Sequence, residues 1–229
     1  IVEWEAVKGE VASQIEAYLN KGGAIVNVKN KAKEAVTVYA ESTPNPSVLK
    51  FVANKNLVPT SFEFNSIEEA KLSPFATALF QFSFVKSIFI DKNYVSITKF
   101  DVIEWEEITL ELRTYIKNYI EQKKDMISSN AAESLEKTTA QLDEVYEDLD
   151  DTSKEIINIL EEYIRPAVAS DGGNIAFESY NPETKLVKVI LQGACSGCPS
   201  STFTLKNGIE NMLKQMMGSK IEAVEAINA

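Results

Sequence analysis

Cys195 and Cys198 are the two cysteines of the chain, and they lie three positions apart in Gly193-Ala194-Cys195-Ser196-Gly197-Cys198-Pro199. Two intervening residues let both sulfurs face one point, and Gly197 permits backbone conformations that a side chain would hinder. Pro199 stands where the first residue of a helix is expected, a position at which its missing amide hydrogen is harmless. The free amides of that first turn favour negative charge, so the spacing predicts stabilised, accessible thiolates suited to metal ligation or redox exchange. A lone C-x-x-C leaves several chemistries open: zinc, an iron–sulfur cluster, a thioredoxin-type dithiol–disulfide couple, or inert buried thiols.

Counting donors narrows this set. The chain has no histidine in 229 residues, which excludes Ser–His and Cys–His catalysis within one chain and removes a principal metal ligand. Tetrahedral zinc or a four-thiolate cluster needs four soft donors, and one chain supplies two thiols. A complete all-sulfur site therefore calls for a second chain, most simply a twofold dimer with two C-x-x-C loops face to face. Pro199-Ser200-Ser201 and the lack of an upstream aromatic residue are unlike a thioredoxin motif.

The elements that must position these sulfurs can be read locally. Ile156, Ile157, Leu160, Ile164 and Val168 mark one face of a helix with Thr152 as candidate cap. Ile175 to Tyr180 and Leu186 to Leu191 alternate as a hairpin across Asn181-Pro182-Glu183-Thr184. After the cysteine loop a helix buries Phe203, Leu205, Ile209, Met212, Leu213 and Met216, and Ile221 to Ile227 forms a last strand. Residues 152–229 thus read as αββαβ.

Upstream, residues 36–127 read as a second unit. Strands are expected at Thr37–Glu41, Ser47–Ala53, Phe62–Phe64, Val85–Ile90 and Tyr94–Thr98. Helices are expected from Ser66, from Ser73-Pro74 to about Phe82, and from Glu104. Residues 128–151, small and polar and then rich in carboxylates, read as an acidic, partly helical linker. A shift of 101 residues superposes Val2-Glu3-Trp4-Glu5 on Ile103-Glu104-Trp105-Glu106, and Val7, Val11, Ile15 and Tyr18 on Ile108, Leu112, Ile116 and Tyr119. Residues 1–30 therefore read as the helical tail of a preceding copy of that unit. The fold class is α+β: two small α/β sandwich-type domains joined by the linker.

Other residues fit bland roles. Core packing accounts for Phe75, Phe80, Phe82 and Phe84, turn geometry for Thr43-Pro44-Asn45-Pro46 and Asp171, and helix packing for Met212, Met216 and Met217. Glu104 and Glu106 read as solvated. Lys plus Arg is 23 against 34 Asp plus Glu, a net charge of −11, which disfavours nucleic acid and anionic membrane surfaces as partners. No apolar run reaches a membrane span.

At Gly193 to Ser201 and Thr204-Leu205-Lys206-Asn207-Gly208-Ile209-Glu210, the chain resembles the NifU-like, or Nfu, carboxy-terminal domain. Arg165-Pro166-Ala167-Val168-Ala169-Ser170-Asp171-Gly172-Gly173 is similar to the same family, with Asn174 where an acid is common. Glu41 to Phe51, with Ser73-Pro74 and Val85-Lys86-Ser87-Ile88-Phe89, resembles the amino-terminal domain of Nfu scaffolds. The resemblance implies a [4Fe–4S] cluster, with [2Fe–2S] as the alternative, bridged between two subunits by Cys195 and Cys198 of each. It implies delivery of the cluster to apo iron–sulfur proteins without catalysis. The expected compartment is the cytoplasm of a bacterium or an organelle of a eukaryote. A dithiol oxidoreductase and a zinc-binding adaptor stay open beside it.

Overall fold

The computed structural model describes residues 4–20, 35–128, 146, 149–196 and 199–228. The chain divides into a unit of residues 1–35 and a unit of residues 36–229. Among its described residues the first holds helix α1 (Trp4–Asn20). Most of the linker lies outside the described residues.

Among its described residues the second unit contains two sheets. Strands β1 (Val38–Ser42), β2 (Val48–Ala53), β3 (Phe62–Phe64), β4 (Val85–Asp91) and β5 (Tyr94–Lys99) form an antiparallel sheet in the order β1-β2-β5-β4-β3. Helices α2 (Pro74–Leu79) and α3 (Trp105–Glu121) cover one face. Phe51, Ile88, Ile90, Val95 and Ile97 meet Phe75, Leu79, Leu112 and Ile116 in a single apolar core. Ser73 caps α2 by accepting from the Ala76 amide, and Pro74 follows at the first turn, as expected. The helix ends at Leu79, short of Phe82. Glu69–Leu72 is a 3-10 turn, with Ser66 accepting from the Glu69 amide at its start.

The opposite face of this sheet is also buried. Strand alternation puts Lys50, Val52, Tyr94 and Ser96 there, and all four are buried. A sheet with helices on only one side ordinarily wets its other face. Here the carboxy-terminal domain covers it.

That domain follows the expected αββαβ order. Helix α4 (Asp151–Ile159) passes through a π turn (Leu160–Ile164) into α5 (Arg165–Ser170). Pro166 supplies no amide and crowds the carbonyl four residues back, which the wider π turn relieves. Strands β6 (Gly173–Asn181) and β7 (Leu186–Gly193) pair antiparallel. Helix α6 (Pro199–Met217) then crosses over to β8 (Ala223–Asn228), parallel to β7. Ile156, Leu160, Ile175, Val189, Leu191, Ile209 and Leu213 form the core.

Two local readings need correction. The cap of α4 is Asp150, not Thr152: its carboxylate accepts from the Thr152 and Ser153 amides at 2.9 and 3.1 Å. On α6, Phe203 and Met216 are exposed, while Ile209, Leu213 and Met217 make the buried stripe at four-residue steps.

The Asp150 cap yields a testable expectation. A hydrogen bond from Ser153 and the amide bonds beside it hold the Asp150 carboxyl below its ordinary range. Its contribution is therefore present above the ordinary carboxylate pKa and is lost as pH falls through the depressed value. Asp150→Ala should cost about 1 kcal/mol near neutral pH and almost nothing in strong acid, measured by denaturant titration at each pH.

Candidate functional site

Strand β7 ends at Gly193, whose φ of +65° turns the chain out of the sheet. Ala194 and Cys195 follow in a tight turn in which the Ser196 amide donates to the Gly193 carbonyl. The Thr202 hydroxyl of α6 donates to the Cys195 carbonyl at 3.3 Å, tying the helix start to the loop. Cys198 and Gly197 lie outside the described residues.

The Cys195 side chain is 6% exposed and belongs to the apolar core of its own domain. For Cys195 this corrects the expectation of an accessible, stabilised thiolate; the same expectation for Cys198 falls outside the described residues. A Cβ built on Gly173 would lie 2.7 Å from Cys195 Sγ, so the sulfur sits where only glycine leaves room. Burial, with the negative charge of Asp171 second, pushes the thiol up to about 12. The sulfur lies in the turn before the helix, and desolvation outweighs any help from the helix terminus. Asp171 thus acts on the thiol electrostatically as well as sitting in a turn. In a Cys198→Ser chain, iodoacetamide should modify Cys195 at neutral pH about a hundredfold more slowly than an unstructured cysteine peptide. The rate should keep rising with pH well past 9.

The residues around the loop come from both domains. From the amino-terminal sheet, the Ser96 hydroxyl donates to the Gly172 carbonyl at 2.6 Å and the Tyr94 hydroxyl to the Gly173 carbonyl at 2.8 Å. The Lys50 ammonium donates to the Ser170 carbonyl at 3.2 Å while pairing with Glu41 at 3.2 Å. The Asn45 side-chain amide reaches the Ala194 carbonyl at 3.3 Å. In the other direction, the Gly193 amide donates to Glu63 Oε1 at 3.0 Å, and the Ser196 hydroxyl lies 3.5 Å from the same oxygen. Glu63 Oε2 is buried without a hydrogen-bond partner among the described residues, and burial raises this carboxyl above its usual range.

Asn174 is a further junction. It accepts from Arg165 Nε at 3.0 Å and donates to Gln192 at 3.0 Å and to Ser61 at 3.2 Å. The Arg-Pro and Asp-Gly-Gly segments, remote from the cysteines in sequence, thus flank the same loop.

Sequence reasoning missed Asn45, Lys50, Glu63, Tyr94 and Ser96. The available signal was Lys50 inside the apolar run Val48-Leu49-Lys50-Phe51-Val52, where a solvent-facing strand would alternate more evenly. The Thr43-Pro44-Asn45-Pro46 turn is rigid as expected, with the Thr43 hydroxyl bonding the Asn45 and Val48 carbonyls, but its Asn45 also meets the cysteine loop. The phenylalanines behave as core residues: Phe75 packs 4.9 Å from the Tyr119 ring, and Phe82 meets Tyr115 edge-on at 5.2 Å. Among the described residues no cluster of three or more Cys, Asp or Glu is arranged to hold a metal. None of their helices is long and apolar enough to cross a membrane.

Comparison with known proteins assigns the class. The family model for the amino-terminal domain of scaffold protein Nfu/NifU matches residues 38–123, and that of the NifU-like domain matches residues 156–225. NifU-like protein 4, mitochondrial, of Arabidopsis thaliana is 34% identical over 194 residues, which cover 84% of this chain and 66% of that protein. NifU-like protein 5, mitochondrial, of the same plant is 34% identical, with 84% and 68% covered. The NFU1 iron-sulfur cluster scaffold homolog, mitochondrial, of Drosophila yakuba is 33% identical over 224 residues, 95% of this chain and 75% of that protein. The chain belongs to the Nfu/NifU-like scaffold family.

Proposed function

We propose that this protein carries an iron–sulfur cluster as cargo, bound between two copies of the chain by Cys195 and Cys198 of each, and passes it to apo-proteins. The observation that carries this reading is the C-x-x-C pair within a matched NifU-like domain that has two thiols and no imidazole. Ligand scarcity then makes a second chain the natural source of the other thiolates. A [4Fe–4S] cluster suits four thiolates, and [2Fe–2S] is the smaller alternative. Binding must strip the proton from a Cys195 thiol raised to about 12, so uptake releases protons and strengthens with pH.

Transfer is ligand exchange onto an acceptor's cysteines. The protein contributes position, access and local charge, and no catalytic residue is required. Several matched relatives are named as mitochondrial, which supports an organellar setting in a eukaryotic cell. For residues 1–30 we favour the closing helix of a preceding amino-terminal copy. Helices α1 and α3 each span 17 residues from equivalent tryptophans, and Ile15, the counterpart of fully buried Ile116, is 55% exposed.

The test is anaerobic reconstitution with iron and sulfide followed by metal analysis. The expected product is brown and holds about four irons per two chains. Zinc in place of iron in protein purified without oxygen would support the adaptor reading instead.

A further inference from the structure

The polar face of the amino-terminal sheet is docked on the start of the cysteine loop and on the Ser170–Gly173 loop beside it. Its partners are mostly main-chain groups: the carbonyls of Ser170, Gly172, Gly173 and Ala194, and the amide of Gly193. The approach is close enough that glycine is required on the carboxy-terminal side. A Cβ on Gly172 would meet Ser96 Oγ at 2.8 Å, and one on Gly193 would meet the Phe89 ring at 2.8 Å. The apolar part of the contact is small, with Val52, Phe89 and Tyr94 gathered against Ala169.

We infer that this sheet face, bearing Lys50, Glu63, Tyr94 and Ser96, is a reversible cap for the cysteine loop, and that the capped chain and the cluster-bridged pair exclude one another. The inference rests on the cluster-carrier reading above for its consequence, though the cap itself does not. Of the described residues around Cys195, Gly193 and Ser196 are held by Glu63 and Ala194 by Asn45, so a second chain approaching over them has to displace both.

Composition makes the contact separable. Contacts between domains that are polar and modest in apolar area behave like transient interfaces, whereas a core does not come apart. Lys50, Glu63, Tyr94 and Ser96 can all be satisfied by water once the face is free. Glu63 gains from release, because its Oε2 lacks any partner among the described residues while capped. Tethering favours closure: a covalently linked surface acts at an effective concentration on the order of millimolar, above that of a second chain at micromolar levels. The apo chain is therefore held as a capped monomer, and thiolate–iron bonds across two chains must outcompete the cap.

The test uses the full, metal-free chain and two variants. Ser96→Asp sets a carboxylate against the Gly172 carbonyl, yet in an open chain it faces water beside Lys50, its cross-strand neighbour. Tyr94→Phe removes only the hydroxyl that reaches Gly173. Hydrogen exchange of the Gly193 amide, whose acceptor is Glu63 across the boundary, reports the cap. Exchange should accelerate at least about tenfold in Ser96→Asp and a few-fold in Tyr94→Phe. Amides in the middle of β7 should not change. Equal Gly193 exchange in all three chains, or an unprotected Gly193 in the unaltered protein, would overturn the cap. The same chains are then loaded with iron and sulfide: Ser96→Asp should form the bridged pair several-fold faster, and an unchanged or slower rate in an uncapped variant overturns the exclusion. Failure of every chain to take up iron, with the exchange result as expected, removes the carrier reading and leaves the cap standing.

Discussion

Cys195→Ala should abolish iron uptake while leaving the chain folded. The thiol lies in an apolar cluster with Ile175, Leu191 and Ile209, so alanine loses packing around the sulfur and adds no polar group. That is a loss of about 1–2 kcal/mol, within what a domain of this size can absorb. Serine is the poorer replacement. Its hydroxyl would occupy the pocket beside Gly173, and a buried hydroxyl without a partner costs about 1–3 kcal/mol. Cys198→Ala should remove iron equally. With one thiolate per chain, two chains supply half of a four-thiolate shell, and bound iron should drop from about four per two chains to less than a tenth of that. A Cys195→Ala chain that still binds a full complement of iron would remove Cys195 from the ligand set.

The second large effect is expected at Gly173, where alanine should destabilise the carboxy-terminal domain by about 1–3 kcal/mol. The added Cβ would sit 2.7 Å from both Cys195 Sγ and the Gln192 carbonyl and 3.1 Å from Cys195 Cβ. Backbone conformation is not the cause, because Gly173 has no positive φ, unlike Gly172 and Gly193. It lies in β6 opposite Gly193, where two glycines let the strand ends close over the thiol. Relief requires both the sulfur and the Gln192 carbonyl at the end of β7 to shift away, so the variant should also alkylate faster at Cys195. Gly208 provides the contrast. It lies in α6, where an added methyl would meet nothing within 4 Å, and Gly208→Ala should stabilise by about 0.5–1 kcal/mol through helix propensity. Denaturant midpoints for the two variants should move in opposite directions.

Much of this architecture is legible locally. Strand alternation and the Ser73-Pro74 helix start depend on neighbours a few residues away. The structure places strands within a residue or two of those expected for the amino-terminal domain and returns αββαβ for the other. Where reading fails, the competing alternatives were local and nearly degenerate. Asp150 and Thr152 are both good caps. In α6 apolar residues recur at both three- and four-residue steps, so Phe203, at 66% exposure, could not be separated from the buried stripe by spacing alone.

The environment of the site was hidden for a different reason. The cysteines announce themselves, but the burial of Cys195 depends on Gly173, and its electrostatics on Asp171, both far along the chain. The amino-terminal donors grip carbonyl oxygens, and a carbonyl looks the same whatever side chain it carries. Glu63 and Ser96 resemble ordinary solvent-facing strand residues, and only the second domain makes them otherwise; Lys50 alone stood out, by its apolar neighbours.

Native mass spectrometry of the anaerobically reconstituted protein tests the central claim most directly. The account predicts a species of two chains plus one cluster, converted to single chains when the cluster is removed by chelation or oxidation. A single chain carrying a complete cluster, or a pair of chains that persists unchanged without iron, would contradict it.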